Sequence, residues 1–487
     1  MAKLRPLSRR KGTRASAAQK TTHSAGVCGG GRGASRFDLA EKEEKLVNSY
    51  ERLLDRAKAA HGSAEVFGVT SERRHVEFEA NRPKNIGQSQ SSGIALRVIN
   101  PNGRIGFSST NDADKIDDLV DRVGALAEYG AEAAFEFPNA TDYSAVDSFD
   151  HSVADLSDDE MLDFGRTAVD AILSEYPEAL CSVDVNKSSG EQRLINSSGV
   201  DASQRQTNSG FFMGVELIRG TDMLSIWDGI VTAKPINQQD VNNIVAKLLR
   251  RLNDSQNIVE SPSGKDLPVV FSPSGFTGTF LPPLLSGFNG KNVATGSSPL
   301  IDKWGEKMLD ERISICDNPL HPMTPQAHGV DDEGVPSRRL DLVRNGTIGG
   351  PFHDLQTAGE TGTTSTGCGL RGVATTPSPS TSYVMMAGGE TPNSEIFDGV
   401  KQGVLVEQLL GAGQGNELGG DFRANLSLGF LIENGEIVGR VKNTMISGNV
   451  YEALNNVELI GSDPEPVFGT RVVPWVRTRG VEVATAS

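Results

Sequence analysis

Apolar residues along this chain alternate between two spacings. In residues 38–60, Leu39, Leu46, Val47, Tyr50, Leu53, Leu54 and Ala57 fall mostly three or four positions apart, which predicts an amphipathic helix. The same spacing predicts helices over 112–130 (Ile116, Leu119, Val120, Val123, Leu126) and about 239–252 (Val241, Ile244, Val245, Leu248, Leu249). Another opens at Ser157, whose pairing with Glu160 has the form of a capping box, and buries Met161, Phe164, Ala168, Val169 and Ile172. Between the first two helices come three short strand-like runs, EVFGVT, RHVEFEA and GIALRVI. Asn102-Gly103, Asn345-Gly346 and Asn434-Gly435 each sit between apolar runs and predict hairpins, because Asn-Gly tolerates positive φ at both turn centres. Ser394–Leu410 reads as helix-like, ending in the glycine-rich loop GAGQGNELGGD.

These elements predict an α+β protein: an α/β N-terminal domain (38–137), an α+β middle domain (138–262) and a glycine-rich, mostly β C-terminal domain (266–487). Asn318–Ser337 lacks periodicity, and loops of that length in compact domains are usually functional or mobile. No stretch approaches the roughly 18 consecutive apolar residues of a membrane span, so no membrane partner is expected. The four cysteines are scattered without a C-x-x-C pair, which suits a reducing cytoplasm.

Charge divides the chain. Residues 1–37 carry nine Lys/Arg and no acid, and are expected to form a disordered basic tail. The remainder carries a net charge of −25, which repels phosphate backbones and excludes a nucleic-acid groove in the folded part.

Three segments carry a family resemblance: STGCGLRG (Ser365–Gly372), the hairpin DFRANLSLGFLIENGEIVGRVKNTMISGN (Asp421–Asn449) and the closing VVPWVRTRGVEVA. In this order they resemble the C-terminal domain of the TldD/PmbA family, the modulator-of-gyrase metallopeptidases. The resemblance covers about 45–487 and is closest over 338–480. Zinc peptidases need three protein ligands and an open position for water. In active members of this family two ligands and the general base come from an H-E-x-x-x-H helix, and a further ligand from a Gly-Thr-Cys-Gly run. Aligning Gly278–Leu281 with the residues before that helix places Pro282 at the first His, Pro283 at the Glu and Gly287 at the second His. The Cys run falls on Phe468-Gly469-Thr470-Arg471. No slip restores a ligand, since no His or Glu occurs between Val270 and Ile301.

The resemblance therefore implies the PmbA/TldE-like branch. Such a chain has no catalytic or metal-binding residues and no cofactor of its own. It pairs with a TldD-like zinc-binding subunit, and the heteromeric peptidase trims peptide substrates. Two alternatives remain: a stand-alone metallopeptidase drawing ligands from His321, His328, His353 and Cys368, and a binding scaffold with no proteolytic role. For contact with a peptide or partner the candidates are Ser365, Thr366, Gly367 and Arg371, where small residues admit an approaching backbone and a cation stands nearby. His353-Asp354 is read as a strand pair facing opposite ways, not as an acid–base couple.

Overall fold

The computed structural model describes residues 49–411 and 415–485, so the basic tail lies outside the described residues. The described chain is α+β, as the spacing of its apolar residues predicts. Its first half is built on a six-stranded antiparallel sheet. The strands are β1 (Ser63–Glu79), β2 (Arg82–Ile99), β3 (Ile105–Thr110), β4 (Leu180–Asn196), β5 (Asp201–Arg219) and β6 (Asp222–Thr232), in the order β3-β2-β1-β4-β5-β6. Strands from both sides of residue 137 thus share one sheet, joined by β1 against β4 from Glu65↔Asn196 to Phe78↔Val183.

The runs EVFGVT and RHVEFEA are not two strands but parts of the single strand β1. The polar residues between them, Ser71 to Arg73, remain extended because both neighbouring strands pair with them. Helices α1 (Tyr50–His61) and α2 (Leu119–Ala127) bury Leu53, Ala57, Val120 and Val123 against Val66, Leu96 and Val98. The predicted helix over 38–60 is thus seen from Tyr50 onward, its earlier part lying outside the described residues.

Helix α3 (Asp158–Glu175) begins at the predicted capping box, with both reciprocal hydrogen bonds made. It packs Met161, Ala168 and Ile172 beside Val76, Phe78, Val183 and Phe211. Helix α4 (Gln238–Asp254) continues this core into the C-terminal half, where Val270, Leu405, Phe430 and Trp475 join the same cluster.

The C-terminal half holds a nine-stranded mixed sheet and a six-stranded one. Strand β7 (Val269–Phe271) runs into helix α5 (Pro273–Thr279) and helix α6 (Leu281–Phe288). In the six-stranded sheet, β8 (Ile315–Asp317) pairs with β9 (Val384–Met386). Strand β10 (Gln402–Leu410) pairs with β7 and with β11 (Asp421–Glu433), which turns at Asn434 (φ 51°) and Gly435 (φ 85°) into β12 (Glu436–Val441). The hairpin β13 (Glu465–Val467) and β14 (Arg471–Val473) closes on β9.

The helix expected over Ser394–Leu410 is absent. A single 3-10 turn (Asn393–Glu395) precedes β10, a strand whose Val404, Leu405 and Val406 are buried on both faces. Continuous burial of this kind erases the two-residue alternation by which a strand is recognised.

Candidate functional site

The segment aligned with the family's zinc helix is helical and lined with apolar side chains. Ser272 caps α5 through its Oγ, which accepts a hydrogen bond from Gly275 N at 3.2 Å. Phe280 stands between the two helices, its ring 4.6 Å from that of Phe271, 5.1 Å from Phe276 and 5.4 Å from Phe422. Helix α6 buries Leu281, Leu284 and Phe288 and opens with Pro282 and Pro283. Prolines are tolerated there because first-turn N–H groups have no partner within the helix. Pro282 is exposed, Pro283 is buried, and Gly287 lies under Tyr451. None of these side chains offers an atom to a metal.

The turn aligned with the Cys run is filled by an aromatic stack. Phe468 and Gly469 both have positive φ (48° and 72°), which turns β13 back into β14. The Phe468 ring lies 4.9 Å from Trp227 and 6.3 Å from Phe212, both on the first sheet. Gly469 packs so closely on the carbonyl of Val231 that a Cβ there would sit 2.2 Å from it. Arg471 is in register with Val384, which is in register with Asp317 on the next strand. Burial lowers the pKa of Arg471 and raises that of Asp317.

The alternative ligands do not converge. His321 packs on Tyr383 at 4.9 Å between ring centroids. His328 is buried with Nδ1 2.7 Å from the Gln326 carbonyl, and burial holds its pKa below the usual value. His353 Nδ1 lies 3.0 Å from Thr357 Oγ1. Cys368 is buried and its thiol is pushed up to about 12, so it carries no thiolate at neutral pH. Among the described residues no group of three His, Cys, Asp or Glu side chains is placed to hold a metal ion.

His353-Asp354 is not a strand pair. Asp354 caps helix α7 (Leu355–Glu360), accepting from Thr357 N at 2.8 Å and from Thr357 Oγ1 at 2.6 Å. His353 and Asp354 therefore share Thr357 as a partner, which fixes the helix start.

Ser365, Thr366, Gly367 and Arg371 do lie on one segment, and the Ser365 and Thr366 hydroxyls bond within the chain. Ser365 Oγ donates to the His353 carbonyl at 3.1 Å, and Thr366 Oγ1 accepts from His353 N at 2.7 Å. Gly367 has φ 75° and packs against the Pro336 carbonyl. The Arg371 guanidinium is 1% exposed, 2.8 Å from Glu65 and over the Phe67 ring at 4.2 Å.

Arg371 belongs to a buried charge cluster that sequence reasoning missed. Arg97 makes two hydrogen bonds to Glu65 (3.1 and 3.0 Å) and one to Glu333 (2.8 Å). Its guanidinium lies over the rings of Phe135 and Phe137, 5.0 and 5.2 Å from their centroids. Asp331 Oδ2 accepts from Gly369 N at 3.0 Å, and Asp332 Oδ2 from Arg371 N at 2.8 Å. Glu333 Oε2 accepts from Leu355 N at 2.7 Å. Burial raises the pKa of all three carboxyls, Asp332 to about 6. In sequence Asp331-Asp332-Glu333 lies within the aperiodic 318–337 stretch, where no pattern marks it. The one available signal was Arg97, a cation inside the apolar run GIALRVI.

Known proteins give a consistent picture. Residues 263–485 match the family description "PmbA/TldA metallopeptidase C-terminal domain", and residues 64–127 match "PmbA/TldA metallopeptidase domain 1". An uncharacterised protein of Methanocaldococcus jannaschii is 26% identical over 437 residues, covering 87% of this chain and 99% of its own. A metalloprotease of Methanothermobacter thermautotrophicus is 24% identical over 82% of this chain and 88% of its own. The crystal structure of TldE from Thermococcus kodakarensis superposes with a TM-score of 0.81 at 23% identity, covering 89% of this chain and 99% of that one.

Proposed function

Since the chain belongs to the TldD/PmbA metallopeptidase family, we propose that it is a PmbA/TldE-like subunit without a catalytic zinc of its own. In this reading a second, TldD-like chain with an intact H-E-x-x-x-H helix holds the metal, and the pair hydrolyses peptides. The observation that carries the proposal is the occupancy of the aligned ligand positions. Helix α6 fills them with two prolines and a glycine, and the Phe468 turn is packed against Trp227. Four independent losses, three ligands and the general base, are not repaired by one neighbour. A cytoplasmic setting suits the three buried free thiols among the described residues.

Purified alone, the chain is expected to hold no stoichiometric zinc and to show no peptidase activity that chelation removes. Mixed with an H-E-x-x-x-H chain of the family, it is expected to co-purify at equal stoichiometry and to support cleavage. Stoichiometric zinc and chelator-sensitive activity in the isolated chain would refute the proposal. Recovery of unrelated partners alone would favour a non-proteolytic scaffold.

A further inference from the structure

The first sheet has two unlike faces. One carries the apolar core under α1 to α4. The opposite face receives the 318–337 loop at one end and the Phe468 turn at another. Between them lies a trough of about 160 Å³ over the central strands β1, β4 and β5.

Gly190 forms the floor. It is in register with Ser71 on one side and Gln206 on the other. Two positions away along the strand, Gln192 pairs with Gln204, and Ser188 with Asn208. The period-two rule of strands puts all of these on one face. The missing Cβ at Gly190 leaves backbone open in the middle of a ring of hydroxyls and carboxamides. Glycine inside a strand marks a place where another backbone can come close. Of the lining residues only Glu191 is charged, and its register with Thr70 turns its side chain to the opposite face.

The ring is oriented and incompletely bonded. The amide nitrogens of Gln204 and Gln206 both donate to the Ala327 carbonyl, and that of Gln192 donates to Asp332. The loop thus fixes how these carboxamides point. Two buried acceptors, Gln204 Oε1 and Asn208 Oδ1, have no hydrogen-bond partner. Buried polar atoms are normally satisfied, so each calls for an incoming donor. The two residues lie four apart on β5, about 13 Å, a length covered by about four residues of extended peptide.

We propose that this trough is a subsite for the main chain of an extended, uncharged polypeptide segment. Peptide N–H groups would meet the two free acceptors, and the backbone would pass over Gly190. The assignment rests on the peptide-handling role proposed above, and adds where in this chain a peptide is held.

The test is calorimetric titration of the full chain with N-acetylated, C-amidated tetra-alanine, with maltotriose as a hydroxyl-rich control. Wild-type protein is expected to bind the peptide saturably and the sugar not at all. Gly190→Val fills the floor, and the pair Gln204→Leu and Asn208→Leu removes both acceptors. Each is expected to weaken peptide binding at least about tenfold, one to two hydrogen bonds' worth. The leucine pair is expected to keep or raise the unfolding midpoint, because it removes unsatisfied groups, and it decides the matter should the valine variant not fold. No peptide binding by wild type, unchanged affinity in the leucine pair, or preference for maltotriose would overturn the proposal. Co-purification of the same variants with the H-E-x-x-x-H chain separates the two ideas. Partner recovery and cleavage without peptide capture by this chain would sink the trough alone, whereas loss of any such partner for wild type would sink the subunit reading.

Discussion

The α5–α6 region and the 318–337 loop put opposite kinds of side chain into the interior. The first is where the family places its chemistry, and here it is apolar: Phe271, Phe276, Phe280, Leu284 and Phe288 are all fully buried. The second has no periodicity and looks like a surface excursion. Yet it delivers Asp331, Asp332 and Glu333 into a fully enclosed cluster with Arg97, Arg371 and Glu65. The contrast teaches that the buried polar groups of this chain gather where distant segments meet. They now anchor the loop and the 365–372 segment to the first sheet, and they fix the carboxamides of the trough beside it.

That contrast predicts two kinds of failure. The largest effect is expected from Arg97→Ala, which leaves Glu65 and Glu333 buried without their shared cation; about 4 kcal/mol of stability should go. Urea unfolding at pH 7 measures it, and a loss below about 1 kcal/mol, the size of an exposed ion pair, would mean that the cluster is not the anchor described. Phe280→Ala should cost about 3 kcal/mol by leaving a cavity among Phe271, Phe276 and Phe422. Its loss should be the same at pH 5 and pH 8, since the Phe271, Phe276 and Phe422 rings around it do not titrate, and a pH-dependent loss would break the comparison.

The acidic cluster should instead show a pH signature. A carboxyl whose folded pKa is raised binds its proton more readily in the native state. For Asp332, raised to about 6, the native state therefore gains stability as pH falls from about 6 toward 4 and loses it as pH rises through that window. Asp331 and Glu333 act in the same direction. His328 and His353, whose pKa values are lowered by burial, act oppositely below pH 6.5. The difference between wild type and Asp332→Asn isolates the first effect. The variant's pH slope between 4 and 6 should be flatter, by about 2 kcal/mol across the window. Equal slopes in urea midpoints would remove Asp332 from the account.

The smallest effect is expected at Pro282, exposed at the start of α6. Pro282→Ala should cost about 0.5 kcal/mol, mostly by loosening the unfolded chain. Pro282→His combined with Gly287→His should still take up no stoichiometric zinc, because the Phe468 turn supplies no third ligand. Zinc uptake by that double variant, read by metal analysis, would show that the region is closer to a metal site than its packing implies.

Much of this was legible in the chain itself. In several elements the period survives: α3 with its capping box, α4, and the three Asn-Gly hairpins all stand where the pattern puts them. The pattern failed at β10, which is buried on both faces and shows no alternation. It failed again at His353-Asp354, where a short helix cap passed for a strand.

What the sequence decided alone is the family and which residues stand at the aligned positions, Pro282, Pro283 and Gly287, because a residue's identity is the same in any fold. What only the tertiary structure decided is which polar groups meet. Asp331-Asp332-Glu333 and Arg97 stand more than two hundred residues apart, and a charge turns from solvated to buried only when a distant segment closes over it. The trough has the same origin. Ser71, Gly190 and Gln206 become neighbours through strand register, which is set by pairing across the sheet and leaves no mark on any one strand.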